Sequence, residues 1–219
     1  MMHKLEADGI LLEFGLRKIL SDIFLTCETG KITGILGRNG AGKTSLMNII
    51  YGTLEPTSKS IRFDGSSVLH AFRKPGLIGY LPQFNFIPKS LSLERIFDDF
   101  ELDFSEFVRD FQEYHSRYKS SFKTLSGGER RLVEVYLIMK ASSQFAMLDE
   151  PFTHLMPLQI EKVKKMLNQE KSKKGFLVTD HIYTQIMDIS DDLYVLANGK
   201  THLTKSIQDL ETFGYVKRL

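Results

Sequence analysis

The stretch GRNGAGKT, Gly37 to Thr44, sets glycines, a lysine and a hydroxyl at the spacing G-x-x-x-x-G-K-[ST]. Gly37, Gly40 and Gly42 allow a tight curl in which successive N–H groups, those of Arg38, Asn39, Ala41 and Ser45 among them, face phosphate oxygens. A helix starting at the end of the loop adds its positive dipole end. In that arrangement Lys43 reaches the β- and γ-phosphates of a nucleoside triphosphate, and the Thr44 hydroxyl ligates Mg²⁺. The apolar run ITGIL before the loop and the helical spacing of Leu46, Ile49 and Ile50 after it supply the strand–loop–helix context that a chance glycine turn lacks.

Three further constellations carry chemistry. The run FAML ends on adjacent carboxylates, Asp149 and Glu150, which are either a catalytic pair or the cap of a turn before Pro151. From 151 to 160 no carboxylate follows. LSGGE, residues 125–129, has the Ser126/Glu129 spacing of a capping box. That spacing does not explain Gly127 and Gly128, which cost helix stability but admit an anion close to the backbone, so a second phosphate-binding helix terminus is expected. His181 follows FLVT and Asp180 at a strand end; His3, His70, His115, His154 and His202 have no comparable setting.

The elements that must hold these groups can be read from periodicity. Residues 4–28 alternate in short apolar segments, which predicts antiparallel strands with turns near Gly9 and Gly15. Continuous apolar runs at 32–36, 145–148 and 175–179 predict buried parallel strands, joined by strands at 61–65, 77–81 and 192–200. Gly52 is placed as a helix C-cap and Pro157 at a helix first turn, followed by Ile160, Val163, Met166 and Leu167 on one face. Asn198-Gly199 predicts a hairpin. From about Phe84 to Lys140 no strand is apparent, and several helices are expected. Strands alternating with helices give an α/β architecture with a mostly parallel sheet covered on both faces.

GRNGAGKT, LSGGE, FAMLDEP and TDH occur in the order and approximate spacing of the ATP-binding cassette (ABC) ATPases, and over essentially its whole length the chain resembles that family. The resemblance implies a P-loop NTPase fold in one domain, 1–219: a mostly parallel core, an antiparallel β subdomain, and an inserted helical subdomain at about 84–140. It implies that Asp149 holds Mg²⁺, that Glu150 is the general base, and that His181 contacts the γ-phosphate. Gln83, after YLP, falls at the family's Q-loop glutamine, a Mg²⁺ ligand that relays nucleotide state; Phe14 falls at the adenine-stacking aromatic. Apolar Phe84, Phe86, Ile87 and Leu91 would form part of a groove for a permease's coupling helix. Ser126, Gly127, Gly128 and Glu129 would complete an ATP site on another copy. A homodimer, or a heterodimer with a related ATPase, follows, docked on an integral-membrane permease at the cytoplasmic face. Within the family the chain is most similar to lipopolysaccharide-export ATPases, with branched-chain amino-acid import and drug-export ATPases still open. A non-transport ABC ATPase, or an ATP-dependent dimerisation switch with weak hydrolysis, are the competing readings.

One position departs: where relatives carry a D-loop aspartate, in LDEP-x-x-x-x-D, this chain has Met156, which accepts hydrogen bonds only weakly. The rest of the composition narrows the alternatives. A net charge of +2 argues against nucleic acid as a partner. A single cysteine, Cys27, leaves no intrachain disulfide and fits a reducing cytoplasm. The N-terminus lacks a secretory signal pattern, and no window is apolar enough to span a bilayer.

Overall fold

The computed structural model describes residues 2–204 and 209–210. Its central sheet has six strands, in the order Lys200–Thr204 (β11), Asp192–Ala197 (β10), Ile32–Leu36 (β4), Gly175–Thr179 (β9), Phe145–Asp149 (β8) and Ile78–Leu81 (β7). All neighbours are parallel except the edge pair β10 and β11, which is closed by Asn198 at φ +51° and Gly199 at φ +76°. Positive φ at both central residues is what a two-residue hairpin turn demands. Every residue of β4, β8 and β9 is buried, which is why these three read as unbroken apolar runs.

The register sets Thr179 beside both Ile35 and Asp149, so the carboxyl ends of β4, β8 and β9 lie side by side. Ligands of open parallel sheets bind at such ends. Here the first strand leads into the Gly37 loop, the second into Asp149 and Glu150, and the third into Asp180 and His181.

On one face of the sheet, Ala146, Leu148, Phe176 and Val178 pack with Gly127–Lys140 (α4), Pro157–Glu170 (α5) and Tyr183–Ile189 (α6). On the other, Ile35, Met147 and Leu177 pack with Lys43–Tyr51 (α1) and a second sheet. In that sheet Lys4–Phe14 (β1) pairs antiparallel with Arg17–Leu20 (β2), Phe24–Glu28 (β3) and Ser58–Phe63 (β5), and β5 with Ser66–Ser67 (β6). Gly15 closes the β1–β2 hairpin, but the turn expected at Gly9 is absent. Gly9 lies inside β1 at φ +58°, where the register against β5 shifts between Asp8 and Leu11. It is a glycine bulge, which local sequence reading cannot separate from a turn.

Residues 84–140 contain Leu93–Asp99 (α2), Phe104–Asp110 (α3), two 3₁₀ turns and α4. Their phenylalanines form an aromatic cluster, with Phe107 4.7 Å from Tyr114 and 4.8 Å from Tyr136 between ring centroids. Ile87 is buried in this core and Leu91 packs against it. Of the four residues expected in a docking groove, Ile87 is therefore core, Phe86 and Leu91 are half-buried against it, and Phe84 is exposed. No helix among the described residues is long and apolar enough to cross a membrane.

Candidate functional site

Gly42, at φ +105°, precedes α1, and Gly40 bends the loop at φ +78°. Gly37 has an ordinary φ, and its role differs from the curl expected of it: a Cβ there would come within 3.0 Å of the Leu196 carbonyl, so glycine lets the loop pass under β10. Lys43 is only 6% exposed, and its Nζ donates to the carbonyls of Gly37 (2.6 Å) and Arg38 (3.4 Å). Burial pulls the Lys43 pKa down, opposed by the carboxylates of Glu150, Asp149 and Asp180.

The loop forms one wall of a cavity of about 500 Å³ through Asn39, Gly40 and Gly42–Ser45. Gln83, Glu150 and His181 form the facing wall. Phe14, 59% exposed at the tip of the β1–β2 hairpin, borders the cavity with Arg17 and Ile19. Gly37, Arg38, Ala41 and the expected Mg²⁺ ligand Asp149 are not in its lining.

Asp149 is buried at the end of β8. Its Oδ1 accepts from the Thr179 hydroxyl at 2.6 Å, while the equally buried Oδ2 has no partner. The Tyr80 hydroxyl, buried and likewise without a well-formed partner, faces the same carboxylate, and burial together with that carboxylate raises the Tyr80 pKa. Glu150 adopts φ +52°, a strained conformation for a non-glycine residue. Its Oε2 accepts from Gln83 Nε2 at 2.9 Å and lies 3.8 Å from His181 Nδ1. The same His181 nitrogen lies 3.3 Å from Oδ1 of Asp180. Asp180 is buried and accepts from the backbone N–H groups of Phe152 (3.3 Å) and Ile182 (3.0 Å), and burial raises its pKa.

Two residues of α4 that sequence reading treated only as helix hold this wall in place. Arg131, buried, donates to the carbonyls of Pro82 (2.7 Å), Asp149 (2.5 Å) and Glu150 (2.9 Å). Glu134, fully buried one turn on, accepts from the side chain of Asn85 (2.7 Å) and the N–H groups of Phe86 (2.9 Å) and Ile87 (3.1 Å). The available signal was a charge at 134 inside a run that is otherwise apolar from 132 to 139.

Ser126 through Glu129 are absent from the cavity. Ser126 and Glu129 form a reciprocal capping box, at 2.6 and 3.2 Å, at the start of α4. The adjacent glycines differ. A Cβ on Gly128 would lie 2.4 Å from the His154 carbonyl, whereas one on Gly127 would meet nothing within 4 Å. Gly128 thus also serves close packing against the loop after Glu150, and Gly127 keeps its backbone open to solvent. Gly128→Ala should destabilise the fold by about 1–3 kcal/mol, as overpacking does. Gly127→Ala should leave stability unchanged or raised by up to about 1 kcal/mol, because alanine is the better helix former. Denaturant midpoints of the two variants check both.

A second, largely apolar cavity of about 580 Å³ lies alongside the first, lined by Tyr51, Leu54, Tyr80, Phe84 and Phe86 among others. Thr44 and Gln83 border both cavities.

A family model described as ABC transporter matches residues 20–153. The chain is 30% identical to the lipopolysaccharide export system ATP-binding protein LptB of Haemophilus influenzae, across all of this chain and 97% of that one. It is 32% identical to the protein of the same name from Escherichia coli K12, across 90% of this chain and 88% of that one. A solved ATP-binding subunit of an ABC transporter superposes with a TM-score of 0.81 at 23% identity, covering 98% and 95% of the two chains. The phosphate loop, the carboxylate-ended strand and the α4 terminus thus sit in a fold that family shares, and the chain belongs to the ABC transporter ATP-binding family as an ABC-type ATPase.

Proposed function

We propose that this chain hydrolyses ATP to drive a transporter whose membrane-spanning permease is a separate chain, and that residues 84–140 are the helical subdomain of one ATPase domain, 1–219. The observation that carries the coupling is the shared wall: Thr44 and Gln83 border both the phosphate-loop cavity and the apolar groove beside it. A permease segment seated against Phe84 and Phe86 would touch the residues adjoining Gln83. The lipopolysaccharide-export relatives make that cargo the first to test.

In this reading Phe14 stacks on adenine, and the Gly37–Ser45 loop and Lys43 take the phosphates. Thr44, Gln83 and the unpartnered Asp149 Oδ2 are hard oxygen donors that suit Mg²⁺, which commonly uses one carboxylate together with phosphate and water. Bound Mg²⁺ would neutralise charge on the β- and γ-phosphate oxygens. Glu150 takes the proton of the water that attacks γ-phosphorus, the bond to the bridging oxygen breaks, and ADP leaves. The Gln83 amide orients that carboxylate, and His181 reaches the γ-phosphate. Because Ser126 and Gly127 lie outside the cavity, a second copy supplies them, and a homodimer closes two sites. The chain then sits at the cytoplasmic face of the membrane through its permease.

Pull-down of the tagged chain from solubilised membranes tests the reading. An integral membrane protein should co-purify, and Phe84→Asp should release it. Recovery of the chain alone, with ATPase activity independent of membranes, would overturn it.

Met156 favours a second reading, a dimerisation switch with weak hydrolysis. It is 61% exposed at the N-cap of α5, where Gln159 reaches back to its N–H, at 3.0 Å, and a thioether sulfur is a weak acceptor for the first-turn N–H groups. Met156→Asp should raise steady-state ATPase several-fold, restoring one polar contact near the transferred phosphoryl group. It should also stabilise α5 by about 1 kcal/mol as an N-cap. Met156→Asn supplies the cap without the charge, so a rate gain confined to Asp identifies the carboxylate as the missing part. No gain in either variant shows that Met156 is not limiting.

A further inference from the structure

The segment 82–87 meets α4 at both ends. Arg131 donates to the Pro82 carbonyl, and one turn on Glu134 accepts three hydrogen bonds from Asn85, Phe86 and Ile87. Between these anchors, Gln83 turns one way, to Glu150 Oε2 at 2.9 Å. Phe84, 71% exposed, borders the apolar groove. A carboxylate bonded to three donors in a buried site is a stiff clamp, because charge-assisted bonds are short and strong where water is excluded.

We propose that Glu134 is a positioning residue for ATP hydrolysis: by fixing the register of Asn85, Phe86 and Ile87, it sets where the Gln83 amide meets Glu150. It touches no substrate and acts through 85–87 and Gln83. It also fixes the wall formed by Phe86, so an occupant of the groove that displaced 84–86 would pull against this clamp. The inference rests on the roles proposed above for Gln83 and Glu150. Misplacement of a catalytic group by about 1 Å can cost on the order of 100-fold in rate. A loosened clamp, which shifts Gln83 by less, should cost about 10-fold.

The test exchanges the partners. Glu134→Gln removes the charge from all three bonds and makes the exposed Asn85 amide turn over to accept from the new amide, and Asn85→Asp places two carboxylates face to face. Each should lower kcat about 10-fold with KM for ATP within about twofold, since the phosphate loop is untouched. Backbone hydrogen exchange at Phe86 and Ile87 should quicken in Glu134→Gln. In the N85D/E134Q double variant the glutamine amide can donate to the new carboxylate, and kcat should recover to within about threefold of the starting protein. A merely structural role would lower thermal stability without this crossed rescue.

Wild-type kcat in Glu134→Gln, or a double variant whose thermal midpoint recovers while kcat does not, overturns the proposal. Should Glu134→Gln fail to fold, Asn85→Ala, at an exposed residue, decides the matter: an unchanged kcat overturns the proposal and a lowered kcat at constant KM supports it. Glu150→Gln run alongside separates the two failures. If it retains turnover, the site reading itself is wrong; if it does not and Glu134→Gln is unaffected, only the Glu134 inference is.

Discussion

Glu150→Gln should lower ATP turnover by about two to three orders of magnitude while ATP affinity stays within about threefold. General acid–base catalysis contributes about 10²–10⁴-fold where a positioned group takes a proton in the transition state. The amide keeps the shape of the carboxylate and can still accept from Gln83, so the wall of the cavity survives. What it cannot do is accept the proton of the attacking water. Lys43, which holds the loop through the Gly37 carbonyl, is untouched, and binding should persist. Phosphate release under saturating ATP, beside equilibrium binding of a fluorescent ATP analogue, measures both quantities. A loss of less than tenfold would assign the proton to another group.

Arg131→Met should destabilise the protein by about 3–5 kcal/mol, the usual cost of removing one partner from a buried charged network. Three carbonyls, those of Pro82, Asp149 and Glu150, lose their guanidinium donor together. A buried acceptor left without a partner costs about 1–3 kcal/mol. The charge balance suffers too, since Glu134, Asp149, Glu150 and Asp180 all act electrostatically on this guanidinium. Arg131→Lys should recover less than half of the loss, because one ammonium cannot span three carbonyls as the planar fork does. Denaturant unfolding at constant m-value reads the stability, and ATPase activity of the still-folded fraction should fall with the displaced end of β8.

Where local chemistry and tertiary environment agreed, the elements could be read directly. ITGIL and GFLVT are strands over their full length, Gly52 is the left-handed C-cap of α1, and Pro157 opens α5. The hairpin at Asn198-Gly199 was equally legible, because positive φ at two consecutive residues is a demand few sequences meet. What escaped was set by contacts distant in sequence. Gly9 is a bulge because β1 must pair on two sides. Gly37 and Gly128 are glycines because Leu196 and His154 crowd them, so their use as phosphate-loop markers told only part of their role. Arg131 and Glu134 look like solvent-facing charges on a helix until Pro82 and Asn85, each 49 residues away, are placed against them. Motif order named most of the cavity-lining groups but missed Arg17 and Ile19, and no periodicity could say that one α4 face would anchor the segment carrying Gln83.

The proposal that one copy cannot complete its own ATP site is tested most directly by the solution mass of the Glu150→Gln variant with ATP and Mg²⁺. Sedimentation should show the 25.1 kDa chain doubling in mass when ATP is saturating and remaining single without it. Adding Gly127→Asp places a carboxylate where the proposed second copy would meet phosphate, at a site with room for the side chain, and should hold the mass at 25.1 kDa. A single chain under saturating ATP, or a dimer indifferent to both ATP and Gly127→Asp, would contradict the account.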